Sequence, residues 1–189
     1  MRVIGGSLRG RRLMAPRWAG LRPTSGRLRE TLFDILGDGV KGARVVDGFA
    51  GTGAIGIEAL SRGAAHVTFM ESDARAARLI AENLRRCGVE RGYTILRGPV
   101  AWGWGRSQSP DGVDLVYLDP PYDADGIEAL VRAAAPHVAP NGVVVVEHPR
   151  RRTCADRIEG MRRARTVTAG DSALSFYRDD PAEASTHRA

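Results

Sequence analysis

The sequence of 189 residues contains few cysteines, almost no lysine and no long apolar run. Two cysteines, Cys87 and Cys154, are too few for a disulfide framework and show no CxxC spacing. The four histidines are scattered without zinc-ligand spacing, so we expect no metal. No apolar run approaches the roughly 20 residues of a membrane helix, and the N-terminus lacks the apolar core of a signal peptide. These absences predict a cytoplasmic protein with no membrane partner and the length of one domain.

Positive charge is concentrated near the N-terminus. Residues 1–30 contain eight arginines and one acid, a net charge of +7, whereas the remaining residues hold 20 basic and 21 acidic side chains. Phosphate contacts dominate nucleic-acid affinity, and the arginine fork matches phosphate geometry. The segment therefore predicts contact with nucleic acid, with a solvated arginine-rich tail as the alternative.

Strand and helix patterns alternate from residue 44 onwards. Apolar runs predict strands at 44–47, 66–71, 93–96, 113–118, 142–147, 162–168 and 173–178. Helical periodicity predicts helices at about 24–36, 53–62, 73–87 and 124–138. Residues 1–15 look like a short hairpin or arm, and 98–112 look like a loop. Near-continuous apolar strands alternating with helices are typical of an α/β fold with a parallel sheet covered on both faces.

Three acidic residues lie at predicted strand ends. Asp47, Glu71 and Asp119 each close an apolar run. Ligands of open α/β sheets bind beyond the carboxyl ends of the strands, where these side chains would meet. We therefore expect the functional site at this edge.

A glycine-rich turn follows the first of these strands. Gly51, Gly53 and Gly56 match G-x-G-x-x-G between a strand and a helix, and Glu71 follows Gly53 by 18 residues. This spacing by itself permits a dinucleotide such as NAD, with Glu71 on the ribose. Asp47, just before the turn, instead favours S-adenosylmethionine, because a carboxylate there pairs with an amino group and repels a pyrophosphate.

We predict a cofactor site made of residues that flank this turn and the end of the next strand. The set is Asp47, Phe49, Gly51, Gly53, Glu71 and Ser72.

The strand at 113–118 ends in Asp119-Pro120-Pro121-Tyr122. Neither proline has an N–H to donate to a strand ladder, so the pair makes a rigid corner with free carbonyls. An NAD site does not explain this corner. We predict that Asp119, Pro120, Pro121 and Tyr122 carry the chemistry.

The chain resembles the RsmD family of bacterial 16S ribosomal RNA guanine-N2 methyltransferases. The likeness lies in MRVIGGSLRGRRLMAP, LRPTSGRLRETLFDIL, VVDGFAGTGAIGIEALSRGA, LVYLDPPY, VVVEHPRR and GDSALSFYR. It implies a Rossmann-like class I methyltransferase fold with a mostly parallel seven-stranded sheet. It also implies S-adenosylmethionine as cofactor and, as target, the N2 amino group of guanine 966 in the assembled or assembling small subunit. A monomer is expected on the same ground.

The resemblance also implies roles for segments and residues. Residues 1–40 would be an RNA-contacting basic extension and 41–178 the methyltransferase domain; the polar composition of 179–189 by itself predicts a disordered tail. Asp119 and the Pro120 carbonyl would accept the two N–H bonds of the target amine, and Tyr122 would stack on the base. The expected RNA-binding residues are Arg2, Arg9, Arg11, Arg12, Arg22, Thr24, Ser25, Arg27 and Arg29.

The chain departs from the family pattern at two positions. Gly26 stands where an acid is usual in the RPTS segment, and Pro99 stands where an acid usually meets the adenine amino group. RNA positioning near Gly26 and adenine recognition near Pro99 therefore need other groups. Thr24 or Ser25 also has a plain structural alternative, which is to cap the following helix.

Three other functions stay open from the sequence. An N6-adenine methyltransferase acting on DNA or another RNA shares the proline corner, but DNA enzymes usually carry an extra recognition region, for which this chain has little room. An NAD-dependent oxidoreductase fits the glycine turn alone. A catalytically silent RNA-binding assembly factor is favoured slightly by Gly26 and Pro99.

Overall fold

The structure, a computed structural model, describes residues 1–16, 18, 25–104, 112–121 and 126–180. One eight-stranded sheet forms its centre, in the order β3-β2-β1-β4-β5-β8-β7-β6. The strands are β1 (Arg44–Gly48), β2 (His66–Glu71), β3 (Tyr93–Arg97), β4 (Val113–Leu118), β5 (Val138–Pro149), β6 (Arg157–Ile158), β7 (Met161–Ala169) and β8 (Ser172–Asp179). The first five strands are parallel, and β8, β7 and β6 add an antiparallel edge.

Five α-helices connect or cover the strands in the described part of the chain. They are α1 (Gly26–Leu36), α2 (Ala54–Ser61), α3 (Ala74–Arg86), α4 (Val100–Gly103) and α5 (Ile127–Ala134). Short 3-10 turns at Gly37–Val40 and Ala135–His137 extend α1 and α5. The seven predicted strands and the four predicted helices are all present, which confirms the α/β parallel-sheet prediction.

Several predicted boundaries were wrong. Residues 100–103 form a helix, not loop, and β5 begins at Val138, four residues before the expected start. The α-helix predicted at 124–138 begins at Ile127 and ends at Ala134. The two-residue β6 was not expected.

Each face of the sheet buries its own apolar cluster. Leu28, Leu32 and Phe33 of α1 pack on one face with the apolar sides of α2 and α3. Ile127 and Val131 of α5 pack on the other face. Residues that alternate along a strand point to opposite faces, so each central strand contributes to both clusters.

Helix α2 lies unusually close to β2 at Gly56. A Cβ placed on Gly56 would lie 2.2 Å from Cε1 of Phe69, which leaves no space for a side chain. The third glycine of the G-x-G-x-x-G turn therefore allows helix and strand to touch. This contact fixes the start of α2 over the carboxyl end of the sheet.

The N-terminal segment is held on the same body rather than standing apart as an arm. Val3 and Leu13 belong to the core cluster beneath α1. Glu58 of α2 is fully buried and accepts hydrogen bonds from the backbone N–H groups of Ile4 and Gly5, both at 2.7 Å. The expected short hairpin is present: Arg2 and Arg12 form an antiparallel bridge, and the backbone N–H groups of Val3 and Leu13 donate to the carbonyls of Arg11 and Met1, both at 3.0 Å.

The C-terminal end is ordered further than expected. Asp179 ends β8, and Asp180 is buried with its backbone N–H on the Gly160 carbonyl at 2.7 Å. The prediction of a disordered tail was therefore wrong for these two residues, and its remainder, 181–189, lies outside the described residues.

No helix in the described ranges is both long enough and apolar enough to span a membrane.

Candidate active site

A cavity of about 710 Å³ opens at the carboxyl ends of the parallel strands. It is bounded by the turn after β1, the ends of β2, β4 and β5, and the turn between β7 and β8. Of the predicted cofactor and catalytic residues, those lining it are Asp47, Phe49, Gly51, Glu71, Ser72, Asp119, Pro120 and Pro121. The structure therefore brings most of the predicted site into one space.

The turn after β1 has an uncommon backbone. Phe49 has φ of 60°, and Gly51 and Gly53 have φ of 55° and 75°. Positive φ is easy for glycine but rare for phenylalanine, and such strain concentrates at functional sites. Gly53 itself is buried beneath the cavity, where a Cβ would lie 3.1 Å from Ile80, so its role is to start α2.

Glu71 at the end of β2 holds this turn in place. One carboxylate oxygen accepts the backbone N–H of Gly51 at 2.8 Å, and the other accepts that of Asp73 at 2.8 Å. The glycine turn and the start of α3 are thereby fixed relative to each other. A carboxylate at this position can still accept a hydroxyl, since each oxygen has a second lone pair.

Asp47 at the end of β1 is almost fully buried. Its Oδ2 accepts the backbone N–H of Gly56 at 2.9 Å. Burial raises the pKa of Asp47 to about 8; the Gly56 hydrogen bond opposes this shift and the nearby Glu71 adds to it. Such a carboxyl group ionises readily only when a cation comes beside it.

The proline corner follows β4 directly. Pro120 is buried, Pro121 is exposed, and the backbone N–H of Asp119 donates to the Gly48 carbonyl at 3.3 Å. The corner is thus tied to the strand that leads into the glycine turn. Tyr122 lies outside the described residues.

Sequence reasoning missed a second carboxylate beside this corner. Glu147 lies near the end of β5, lines the cavity, and accepts the Tyr117 hydroxyl at 2.6 Å. The signal was present, because Glu147 closes a run of four valines as the other three acids close their strands. Trp18, Asp171 and Ser172 also line the cavity and were not predicted.

Acidic residues dominate the charge around the cavity. Among the residues that the structure describes, the lining contains one base, Arg75, and six acids: Asp47, Glu71, Asp73, Asp119, Glu147 and Asp171. Arg75 is already paired with Asp73 at 2.7 Å, and its guanidinium lies 5.1 Å from the ring centroid of Trp18. Hydrogen bonds from Arg75 lower the pKa of Asp73 to about 2. An acid-lined cavity attracts cations and repels a pyrophosphate.

Most predicted RNA-binding residues lie on the surface. The exposed ones are Ser25 and the arginines Arg2, Arg9, Arg11, Arg12 and Arg27. Ser25 caps α1, since its hydroxyl accepts the Leu28 N–H at 3.1 Å, and it also lines the cavity. Arg22 and Thr24 lie outside the described residues.

The prediction that Arg29 contacts RNA is contradicted. Arg29 is only 2% exposed, and its guanidinium donates to the Arg2 carbonyl at 3.1 Å. Its other terminal nitrogen lies 4.0 Å from Glu58, and burial lowers its pKa. Arg29 therefore supports the N-terminal segment from inside the protein.

Part of the N-terminal segment lies at the far ends of two helices that begin at the cavity. Leu8 bonds to the hydroxyl of Ser61 at the C-terminal end of α2, and Arg11 lies near Gly88, just beyond α3. Both helices begin at the cavity, and the eight residues of α2 span about 12 Å. A ligand touching both regions must be large.

Comparisons with known proteins place the chain among relatives over nearly its whole length. The family model described as Conserved hypothetical protein 95 matches residues 1–178. Ribosomal RNA small subunit methyltransferase D of Haemophilus influenzae is 36% identical over 151 residues, which make up 78% of each chain. YlbH of Bacillus subtilis is 30% identical over 181 residues, covering 94% of this chain and 98% of the relative.

A solved structure gives the same result for the fold. The structure of yhhF from Escherichia coli superposes with a TM-score of 0.80 at 30% identity, covering 95% of this chain and 98% of that one. The sheet order and the helices on both faces are those of the Rossmann-like methyltransferase fold. This chain therefore belongs to the RsmD family, whose family model carries the description Conserved hypothetical protein 95.

Proposed function

We propose that the protein transfers a methyl group from S-adenosylmethionine to the exocyclic N2 amino group of a guanine in 16S ribosomal RNA of the small subunit. The relatives named ribosomal RNA small subunit methyltransferase D support an rRNA methyltransferase. The observation that carries the proposal is that the proline corner and the acidic strand ends share one cavity. Guanine 966 is the target that the family resemblance implies.

The residues of the cavity fit S-adenosylmethionine better than a dinucleotide. The free cofactor carries a sulfonium and an ammonium against a single carboxylate, so it is cationic. Asp47 and Glu71 both line the cavity, where Asp47 would pair with the ammonium and Glu71 would accept a ribose hydroxyl. NAD would bring two phosphates to an edge with six acids, which disfavours the oxidoreductase alternative.

Transfer to an exocyclic amine depends on holding that amine correctly. The sulfonium methyl of S-adenosylmethionine is already activated for attack. The amine lone pair is conjugated with the base, so the protein must turn it toward the methyl. The Asp119 carboxylate and the Pro120 carbonyl would accept hydrogen bonds from the two N–H groups of the amine. The same acceptors would stabilise the positive charge that builds on its nitrogen. As the methyl bonds to nitrogen, its bond to sulfur breaks and S-adenosylhomocysteine leaves; the cationic nitrogen then loses one proton to water, so proton removal before attack is not required.

The target base must leave its stack to reach the corner. Extraction costs a few kcal/mol, and stacking on an aromatic side chain returns roughly 1–3 kcal/mol. Tyr122, next to the corner in sequence, is our proposal for that stacking partner.

We expect the arginines of the N-terminal segment to contribute to the salt dependence of RNA binding. Changing Arg9, Arg11 and Arg12 together to glutamine should lower the slope of log K against log[salt] by about 2, since each lost phosphate contact removes about 0.7–0.9. Filter binding to 16S RNA at several salt concentrations measures this slope.

The matched control removes three other exposed arginines. Arg132, Arg162 and Arg178 lie on α5, β7 and β8, and their change to glutamine should leave the slope nearly unaltered. If both triple variants lose the same amount of slope, or if neither loses any, the N-terminal segment is not part of the RNA-binding surface.

Labelled methyl transfer tests the proposed function. S-adenosylmethionine carrying a labelled methyl is offered to small subunits lacking the modification, to naked 16S RNA and to duplex DNA, and the labelled nucleoside is identified after digestion. Label in N2-methylguanosine is the expected result. Label in N6-methyladenine would keep the chemistry and replace the substrate. No label, with cofactor binding intact, would favour a silent assembly factor.

A further inference from the structure

We propose that Glu147 is the residue that selects guanine, by accepting the N1–H of the target base while Asp119 and Pro120 hold its N2 amino group. This inference rests on the proposed function and assigns the base specificity of the same site to one side chain.

The strand register places Glu147 next to the proline corner. Leu118 of β4 pairs with Val146 of β5, so Asp119 and Glu147 follow as neighbours on adjacent strands, which lie about 4.8 Å apart. Tyr117 and Val145 belong to the same apolar cluster, so Asp119 and Glu147, two residues further on, project from that face as well.

The order of strands puts Glu147 on the substrate side of the corner. From β2 through β1 and β4 to β5, the acids appear in the order Glu71, Asp47, Asp119 and Glu147. The first two belong to the proposed cofactor site. The target base would reach Asp119 from the side opposite the cofactor. The atoms of the base next to its amino group would then face Glu147.

The carboxylate of Glu147 is buried, and a hydrogen bond from the protein orients it. The residue is 4% exposed, and one oxygen accepts the Tyr117 hydroxyl at 2.6 Å. Each carboxylate oxygen has more than one lone pair, so the group can accept a further hydrogen bond from a ligand in the cavity that it lines. A buried carboxylate that faces a cavity, oriented by one protein donor, is suited to accept a donor from a ligand.

The chemistry of the purines makes a carboxylate selective here. Guanine carries N1–H and the N2 amino group side by side on one edge, so both point their hydrogens in the same direction. Adenine has a lone pair at N1, which a carboxylate would repel. A site built to accept a hydrogen bond discriminates strongly against a ligand that lacks the donor, because the buried acceptor is left unpaired.

The experiment compares two acceptors that both carry the 2-amino group. Small subunits are reconstituted with 16S RNA in which the guanosine labelled by the wild-type protein is kept or is replaced by 2-aminopurine riboside, whose N1 is an acceptor. We expect the wild-type protein to prefer guanosine by about 100-fold in kcat/KM. In Glu147→Gln this preference should fall to a few-fold, because an amide can donate to N1 of 2-aminopurine.

Two controls separate specificity from general damage. Glu90→Gln removes an exposed charge in the loop before β3 and should keep the wild-type preference. The dissociation constant of S-adenosylmethionine, measured by calorimetry, should change less than twofold in Glu147→Gln, since Glu147 lies beyond Asp119 from the cofactor side.

The outcomes are distinguishable. If the wild-type protein labels guanosine and Glu147→Gln keeps the same preference, the role of Glu147 is wrong while the proposed function stands. If the wild-type protein labels no guanosine, the proposed function fails and this inference with it. If Glu147→Gln does not fold, the wild-type comparison decides, and equal use of both acceptors overturns the inference.

Discussion

Asp119→Ala is expected to lower kcat for methyl transfer by about 10³-fold while leaving the affinity for S-adenosylmethionine almost unchanged. The side chain would accept an N–H of the target amine and face the positive charge that develops there, an interaction strongest in the transition state. Removing one preorganised group of this kind typically costs about 10²–10³-fold in kcat. Single-turnover transfer to small subunits, together with calorimetry of cofactor binding, measures both quantities.

The fold should survive this change, because Asp119 is only partly buried and lies at the end of β4. Its backbone N–H, which contacts the Gly48 carbonyl, is retained in alanine. Asp119→Asn is the matched variant: it keeps one acceptor oxygen but loses the charge, so its rate should lie between wild type and alanine. A tenfold or smaller loss in Asp119→Ala would remove this carboxylate from the chemistry.

The fold was predictable where one apolar run makes one strand. β2 and β4 have the bounds that their apolar runs indicate, because both are buried central strands. β5 begins earlier than predicted. Pro140, Asn141 and Gly142 have the composition of a turn, but in the structure they continue the strand, whose pairing with β4 is irregular there. The four residues of α4 are too few to show a helical period.

The position of the site could be predicted from the sequence by a simple rule, whereas the contacts that hold the N-terminal segment on the protein could not. Acids at parallel strand ends must share an edge, which brought Asp47, Glu71 and Asp119 together. Glu58 binds the backbone of Ile4 and Gly5 across more than fifty residues, and backbone groups leave no mark in a sequence. Such a contact is visible only in three dimensions.

The error at Arg29 was avoidable in principle. Leu32 and Phe33 follow it by three and four residues, so Arg29 lies on the apolar side of α1. The number of arginines in the first thirty residues does not distinguish Arg29 from its exposed neighbours. Charge content indicates a nucleic-acid surface only after helical periodicity has shown which side chains reach solvent.

Asp47 should make cofactor binding depend on pH in a predictable direction. The pKa of this carboxyl is raised to about 8, chiefly by burial, so the free protein holds the proton at neutral pH. Pairing with the cofactor ammonium requires the carboxylate, so binding releases that proton. The dissociation constant for S-adenosylmethionine should therefore fall by up to about tenfold per pH unit from pH 5.5 to 7.5.

The same group acts on stability with the opposite sign. Between the ordinary carboxyl pKa near 4 and the raised value near 8, the folded protein keeps a proton that the unfolded chain releases. The contribution of Asp47 to the free energy of unfolding of the cofactor-free protein therefore decreases as pH rises through this window, by at most about 1.4 kcal/mol per unit.

Asp47→Asn tests both statements, because asparagine keeps an oxygen for the Gly56 N–H but cannot ionise. At pH 7.5 it should bind S-adenosylmethionine about 10²-fold more weakly, since the buried ammonium loses its counter-charge. Its dissociation constant should be flat with pH, and calorimetry in buffers of different ionisation enthalpy should show no proton release. If wild type and Asp47→Asn have the same pH profile, Asp47 does not hold the cofactor ammonium, and the acidic edge must bind the cofactor through Glu71 or Asp119 instead.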